Sequence, residues 1–147
     1  MTELSNCPLH DRAVIAVTGK DADSFLQGLI SNDVTKVTGE QAIYAAFLTP
    51  QGKFLFDFFV LKAADGLWLD CEAARADDFL RRLKMFKLRA DVTLTDLRQE
   101  LAVSAVFGAG AATALALPEK AGSARLSNAG VVFIDPRDAA MGGRLIQ

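Results

Sequence analysis

Short runs of apolar, β-branched and aromatic residues, separated by Gly, Pro and Asp, mark out most of the elements this chain predicts. Residues 13–18 (AVIAVT), closed by Gly19, read as a strand. Phe25, Leu26, Leu29 and Ile30 recur at helical spacing and predict a helix over 21–30, with Asp21 or Asp23 accepting from its free N–H groups and Asn32 at its C-terminal end. Residues 42–49 (AIYAAFLT) and 54–62 (FLFDFFVLK) flank TPQGK, where Pro50 presets φ and Gly52 is free to take a positive one. An antiparallel hairpin is expected there. A third strand, 67–71, follows the ADG turn.

Over 74–88, Phe79, Leu83 and Phe86 recur at helical spacing with Leu80 beside them, and Asp77 to Arg81 and Asp78 to Arg82 form i,i+4 charge pairs on the wet side. Strands at 91–95 and 101–107, a short helix at 111–117, strands at 124–127 and 131–134, and a strand-like start in GGRLIQ complete the pattern. The order βαβββαβ followed by βαββ favours an α+β fold, largely antiparallel sheets with packed helices, over a doubly wound parallel one. The expected division is a first α+β subdomain over 1–98 and the start of a second, related one over 99–147, cut from a larger protein.

Strand parity places Phe54, Phe56, Phe58 and Val60 on one face and Leu55, Asp57, Phe59 and Leu61 on the other, so this strand is central. Asp57 therefore points into an apolar layer, where an unpaired carboxylate costs several kcal/mol or takes up a proton. Two readings follow. Asp57 either neutralises Lys53 or an arginine in a structural ion pair, or it serves a ligand.

Composition narrows the function. Sixteen basic and eighteen acidic side chains, a net charge of −2, argue against nucleic acid as a partner. Cys7 and Cys71 lack metal-ligand spacing, and the single histidine, His10, argues against a protein-only zinc site or a histidine-based triad. Reduced thiols and a start without a signal-peptide pattern lead to a cytoplasmic expectation. Residues 101–117 carry no charge over seventeen positions. This is short of a membrane span, and its two glycines suit a buried strand, a turn and a short helix, so no membrane association is expected.

The segments DADSFLQGLISNDV, AIYAAFLTPQGKFLFDFFV, LDCEAARADDFLRRLKMFKLRADVTL and DPRDAAMGGRLI, in that order, resemble the N-terminal half of the YgfZ-type folate-binding proteins. That group includes the mitochondrial iron–sulfur assembly factor related to the glycine cleavage T-protein. The resemblance implies the T-protein-like fold, with three subdomains around a cavity that holds tetrahydrofolate. It also implies a role in iron–sulfur cluster assembly or repair with iron–sulfur assembly proteins as partners, including the upkeep of iron–sulfur enzymes such as tRNA-modifying ones. The group's Lys-Gly-Cys-Tyr-x-Gly-Gln-Glu signature is absent from these residues.

Carried over by position, Asp57 matches the acid of the hairpin motif, Tyr44 a cavity tyrosine on the preceding strand, and Cys71 the place of a cavity asparagine. A carboxylate accepts from a pterin's amino-pyrimidine edge, and a tyrosine ring covers its face. T-proteins carry two adjacent acids in the hairpin, and the first, near the reacting folate nitrogen, is Phe56 here. A phenyl ring exchanges no proton, which argues against aminomethyl transfer and for a binding role without catalysis of its own.

Other features carry two readings each. The basic run RRLKMFKLR (81–89) is the solvated face of an amphipathic helix, or a patch for RNA or an acidic partner. SNDVT (31–35) ends a helix or borders a ligand. Cys71 is a small buried residue or a redox thiol. GAGAA (108–112) is a packing turn or a weak anion cradle. Arg137, after Pro136, is placed to meet a carboxylate of the ligand or of another subdomain.

Overall fold

Strands that are apolar on both faces need a layer on each side, and the computed structural model, which describes residues 4–147, supplies both layers. The first sheet contains β2 (Arg12–Thr18), β3 (Ile43–Leu48), β4 (Phe54–Ala63), β5 (Gly66–Glu72) and β6 (Thr93–Asp96), in the order β3-β4-β5-β2-β6. The second contains β1 (Ser5–Pro8), β7 (Val103–Phe107), β8 (Ala124–Leu126), β9 (Val131–Ile134) and β10 (Gly143–Ile146), in the order β1-β7-β10-β9-β8. All pairings are antiparallel. Three helices, α1 (Ala22–Gln27), α2 (Ala76–Lys87) and α3 (Ala111–Ala114), complete the α+β architecture that the pattern predicts.

The two faces of the first sheet hold separate cores. On one, Phe47, Phe56 and Phe58 close around Phe79 of α2, with Phe25 and Leu26 of α1 beside them. On the other, Val14, Phe59 and Leu61 meet Val103, Val131, Phe133 and Ile146 of the second sheet. Each fully buried phenylalanine contributes about 1.5–3 kcal/mol by leaving water.

The hairpin turn is as expected: Gly52 takes φ +83° and its N–H reaches Thr49 O at 2.8 Å. A bulge then corrects the strand parity. Phe47 pairs with Phe56 but Leu48 pairs with Phe54, so Leu55 is the extra residue and packs against the cluster of Phe56 and Phe58 instead of sharing a face with Asp57. Phe54 is exposed.

Helix ends also differ. Asp21 does not cap α1; its carboxylate accepts from Asp91 N at 2.8 Å and ties the helix start to the α2–β6 connection. The α1 helix stops at Gln27, because Ser31 N turns to Ala46 O (2.9 Å) on the edge of β3. The expected i,i+4 pair of Asp78 with Arg82 forms, at 3.6 Å, but Arg81 also goes to Asp78 and Asp77 goes to Arg98, so the expected Asp77–Arg81 pair does not form. β1 has no apolar alternation to predict it, and pairing with β7 alone makes it a strand.

Two features dock the sheets together. The chain at 40–42 runs against 122–124, with Ala42 N to Gly122 O at 2.7 Å and Ala124 N to Glu40 O at 3.0 Å. Gly122 sits at φ +84°, and a Cβ there would stand 2.7 Å from Ala42 O, so only glycine permits the approach. Beside this seam, the buried Asp70 of β5 accepts from Arg12 Nε of β2 (2.8 Å) and from Arg144 Nη1 of β10 (3.2 Å). Arg12 also donates to Asp70 O at 2.9 Å. Burial lowers the pKa of Arg144, and the Asp70 charge acts against that.

Asp70→Asn leaves two guanidinium groups facing each other without a counter-charge, and stability is expected to fall by about 3–5 kcal/mol. Urea unfolding of the variant checks this, and a loss under about 1 kcal/mol would show that the seam does not depend on the carboxylate.

Candidate functional site

Antiparallel register sets the site. Tyr44 lies opposite Phe59 and Ala46 opposite Asp57, so Tyr44 and Asp57 are diagonal neighbours on the face turned to the second sheet. The Tyr44 hydroxyl donates to Asp57 Oδ2. Burial, followed by the hydrogen bond and charge of Asp57, pushes the Tyr44 phenol up to about 12. Neither Lys53 nor an arginine forms the ion pair that the sequence left open for Asp57, and among the described residues its carboxylate accepts no side-chain hydrogen bond besides that of Tyr44.

Arg137 comes to this place from the second sheet. It meets a carboxylate, but that of Asp135 at the end of its own strand: Nε to Oδ1 at 3.0 Å, Nη2 to Oδ2 at 2.6 Å, and the backbone N–H to Oδ1 at 2.8 Å. The fork holds the guanidinium 5.6 Å from the centre of the Tyr44 ring and 5.0 Å from that of Phe59. The hydrogen bonds that Arg137 donates to Asp135 are the main cause that raises its pKa.

Tyr44 and Arg137 line an open cleft of about 650 Å³ with Asn32, Lys36, Gln41 and Pro136. Within SNDVT, Asp33 caps a short 3-10 turn, Val34–Lys36, by accepting from Thr35 N at 2.9 Å. Asn32 donates to Tyr44 O at 2.9 Å and accepts from Asp33 N at 2.7 Å, fixing the loop against β3. The segment therefore forms a wall of the cleft and is no helix end.

Cys71 is not brought to these residues. It pairs with Phe58 and lies in the core on the opposite face, where burial pushes its thiol up to about 12. It meets Asp57 only across a notch of about 180 Å³ that both border with Phe54, Phe56, Arg75 and Phe79. Phe56 also lies on the far face, stacked on Phe79 at 5.0 Å. The GAGAA segment turns into the four-residue α3, with Ala112 packed against the cluster of Leu115, Val132 and Ile134, and borders a cavity of about 300 Å³. Among the described residues no group of three or more His, Cys, Asp or Glu is placed to hold a metal ion, and no helix is long and apolar enough to cross a membrane.

Sequence reasoning missed Asp135, Lys36 and the Arg12–Asp70–Arg144 cluster. Asp70 carried the same signal as Asp57, a carboxylate at an inward position of an apolar strand (LWLDC), and Asp135 ends the buried strand VVFI.

A family model of the GCVT N-terminal domain matches residues 9–145. The chain is 33% identical over 146 residues to the iron-sulfur cluster assembly factor IBA57 homolog, mitochondrial, of Mycosarcoma maydis, covering 90% of this chain and 34% of that protein. It is 31% identical to the human iron-sulfur cluster assembly factor IBA57, mitochondrial, over 94% of this chain and 41% of that protein. In structure it is similar to the glycine cleavage system aminomethyltransferase T from Bartonella henselae, with a TM-score of 0.77 and 17% identity, covering 97% of this chain and 41% of that one. The chain thus spans between a third and half of the length of these proteins.

Tyr44 is the chain's single tyrosine, so absorbance of the phenolate reports it alone. The folded protein is expected to titrate at about 12 and the unfolded chain at about 10. The unfolded state releases this proton first, so stability falls as pH rises through that interval. A native midpoint at the unfolded value would refute the buried pair. With a thiol reagent at about pH 8, the exposed Cys7 is expected to react in the folded protein and Cys71 only after unfolding.

Proposed function

The chain belongs to the GCVT N-terminal domain family, and on that premise we propose that it is the tetrahydrofolate-binding part of a protein that acts in iron–sulfur cluster assembly. The observation that carries this reading is the Tyr44–Asp57 pair beside the Arg137 cleft. A half-buried carboxylate whose partner is a neutral phenol keeps acceptor capacity for a ligand. The similarity to iron-sulfur cluster assembly factors over nine-tenths of the chain supports the assembly role, and the proposal extends that role to the upkeep of iron–sulfur enzymes such as those that modify tRNA.

The residues present fit a folate. The cleft, at about 650 Å³, is of the size that small-molecule sites take. Tyr44, which lines the cleft, would cover the face of the pterin, and Arg137 and Lys36 offer cations to the carboxylates of the glutamyl end; Asp57, bonded to Tyr44 and outside the cleft lining, would accept from the amino-pyrimidine edge of a ligand that reaches past the tyrosine. The bound folate would supply a one-carbon carrier. Tyr44 keeps its proton at neutral pH and holds the carboxylate through the hydrogen bond to Oδ2, which leaves Oδ1 without a side-chain partner among the described residues. Asp135 fixes Arg137 by the two-point fork.

The fold similarity raises aminomethyl transfer as a second reading. Phe56 stands against it: a side chain packed on Phe79, on the face away from Tyr44, neither orients nor exchanges a proton at the ligand.

Asp57→Asn is expected to leave thermal unfolding of the full-length protein unchanged and to weaken tetrahydrofolate binding, measured calorimetrically, by about 10- to 100-fold, the loss of one charge-assisted hydrogen bond. In cells lacking the protein, wild type and not the variant should restore iron–sulfur enzyme activity. A large loss of stability with unchanged affinity would return Asp57 to a structural role.

A further inference from the structure

Strand parity sends Ala16, Trp68 and Thr95 to the face of the first sheet that is turned to the second. The register aligns them: Ala16 of β2 lies opposite Trp68 of β5 on one side and opposite Thr95 of β6 on the other. A small residue between two larger ones leaves a depression. The loop over 97–101, held to β2 by Leu97 N to Val14 O at 2.9 Å, closes one side of it. The result is a groove of about 340 Å³, lined by these three residues together with Leu101, Glu100 of the loop and Asp65 of the β4–β5 turn. It shares no residue with the cleft beside Tyr44 or with the notch beside Asp57.

The groove is acidic and aromatic at once. Neither Asp65 nor Glu100 forms an ion pair among the described residues, and no lysine, arginine or histidine lines the groove. A concave surface carrying one sign of charge gathers counter-ions. The ring adds a separate preference, because an indole face attracts a cation more strongly than a phenyl or phenol face does. Arg12, Arg75, Arg137 and Arg144 stand over Phe59, Phe56 or Tyr44, yet no cation of the described residues stands over Trp68. The half-buried ring best suited to a cation is thus the one left without, in the same groove as two unpaired carboxylates.

We propose that this groove binds an aliphatic di- or triamine, with its methylenes along the indole of Trp68 and its ammonium groups at Asp65 and Glu100. Two ammonium groups match the two carboxylates, and the walls of Ala16, Leu101 and indole suit an apolar stem between them. A hydrated metal ion gains little from such walls, and a neutral sugar leaves both charges unmatched. The site is separate from the Tyr44 cleft and does not rest on the folate reading.

Trp68 is the single tryptophan of the 147-residue chain, so its fluorescence reports on the groove. Spermidine, titrated at constant ionic strength, is expected to change that fluorescence along a saturable curve and to give the same Kd by calorimetry. Butylamine, with one charge, should bind at least about threefold more weakly, and Asp65→Asn with Glu100→Gln together should weaken spermidine binding by about tenfold, as two exposed charge pairs allow. Both carboxylates are exposed, so the double variant should melt at the wild-type temperature, which separates lost contact from lost fold. The proposal is overturned by the lack of a saturable response to spermidine, by unchanged affinity in the double variant, by equal affinity for butylamine, or by the same saturable change with magnesium ion or methyl glucoside.

Discussion

The carboxylate of Asp70 is buried between the two sheets, with Arg12 of its own sheet on one oxygen and Arg144 of the other sheet on the second. Removed from water, each of these charges would be costly alone, and the geometry that satisfies all three fixes how the sheets meet. Phe59 lies in the same layer and serves as the common neighbour of the cations: the guanidinium carbons of Arg144, Arg137 and Arg12 stand 4.6, 5.0 and 5.8 Å from its ring centre. Its ring also touches Tyr44 and Phe133, one from each sheet. The candidate site depends on this arrangement, because Tyr44 belongs to the first sheet and Arg137 follows the last residues of β9 in the second.

Two aspartates project from the same face of the first sheet and meet different ends. Asp70 has both oxygens engaged by guanidinium groups, and nothing of it is left for a ligand. Asp57 is held by a phenol that stays protonated well above neutral pH, a partner that orients the carboxylate without cancelling its charge. The difference in partner, cation against neutral donor, divides a structural carboxylate from one available for recognition. The nearby Arg137 does not collapse onto Asp57 because Asp135 takes both arms of its fork.

The aromatic residues of β4 divide in the same way. Those on the helix side, Phe56 and Phe58, close on Phe79 and make the core that positions α2. Phe59, on the other side, faces the charged layer. The site beside Tyr44 and the core that positions α2 therefore lie on opposite faces of one sheet, and Asp57 alone of the site residues also borders the notch on the helix side.

The sequence by itself determined the strands, the hairpin turn at Gly52, the long helix and the antiparallel α+β class, because period-two and period-3.6 burial and turn chemistry are local properties. It also singled out Asp57, a carboxylate in an apolar strand, and Arg137 after Pro136, while Tyr44 was pointed to only by the resemblance to the folate-binding family. Tertiary structure decided the rest. β1 is a strand only through its pairing with β7, Leu55 changes face because a bulge shifts the register by one residue, and Cys71 falls in the core because strand parity turns it away from Asp57. Which aspartate would be neutralised was invisible locally: the second cation for Asp70, Arg144, comes from a strand 74 residues away, and only the docking of two sheets brings that charge to it.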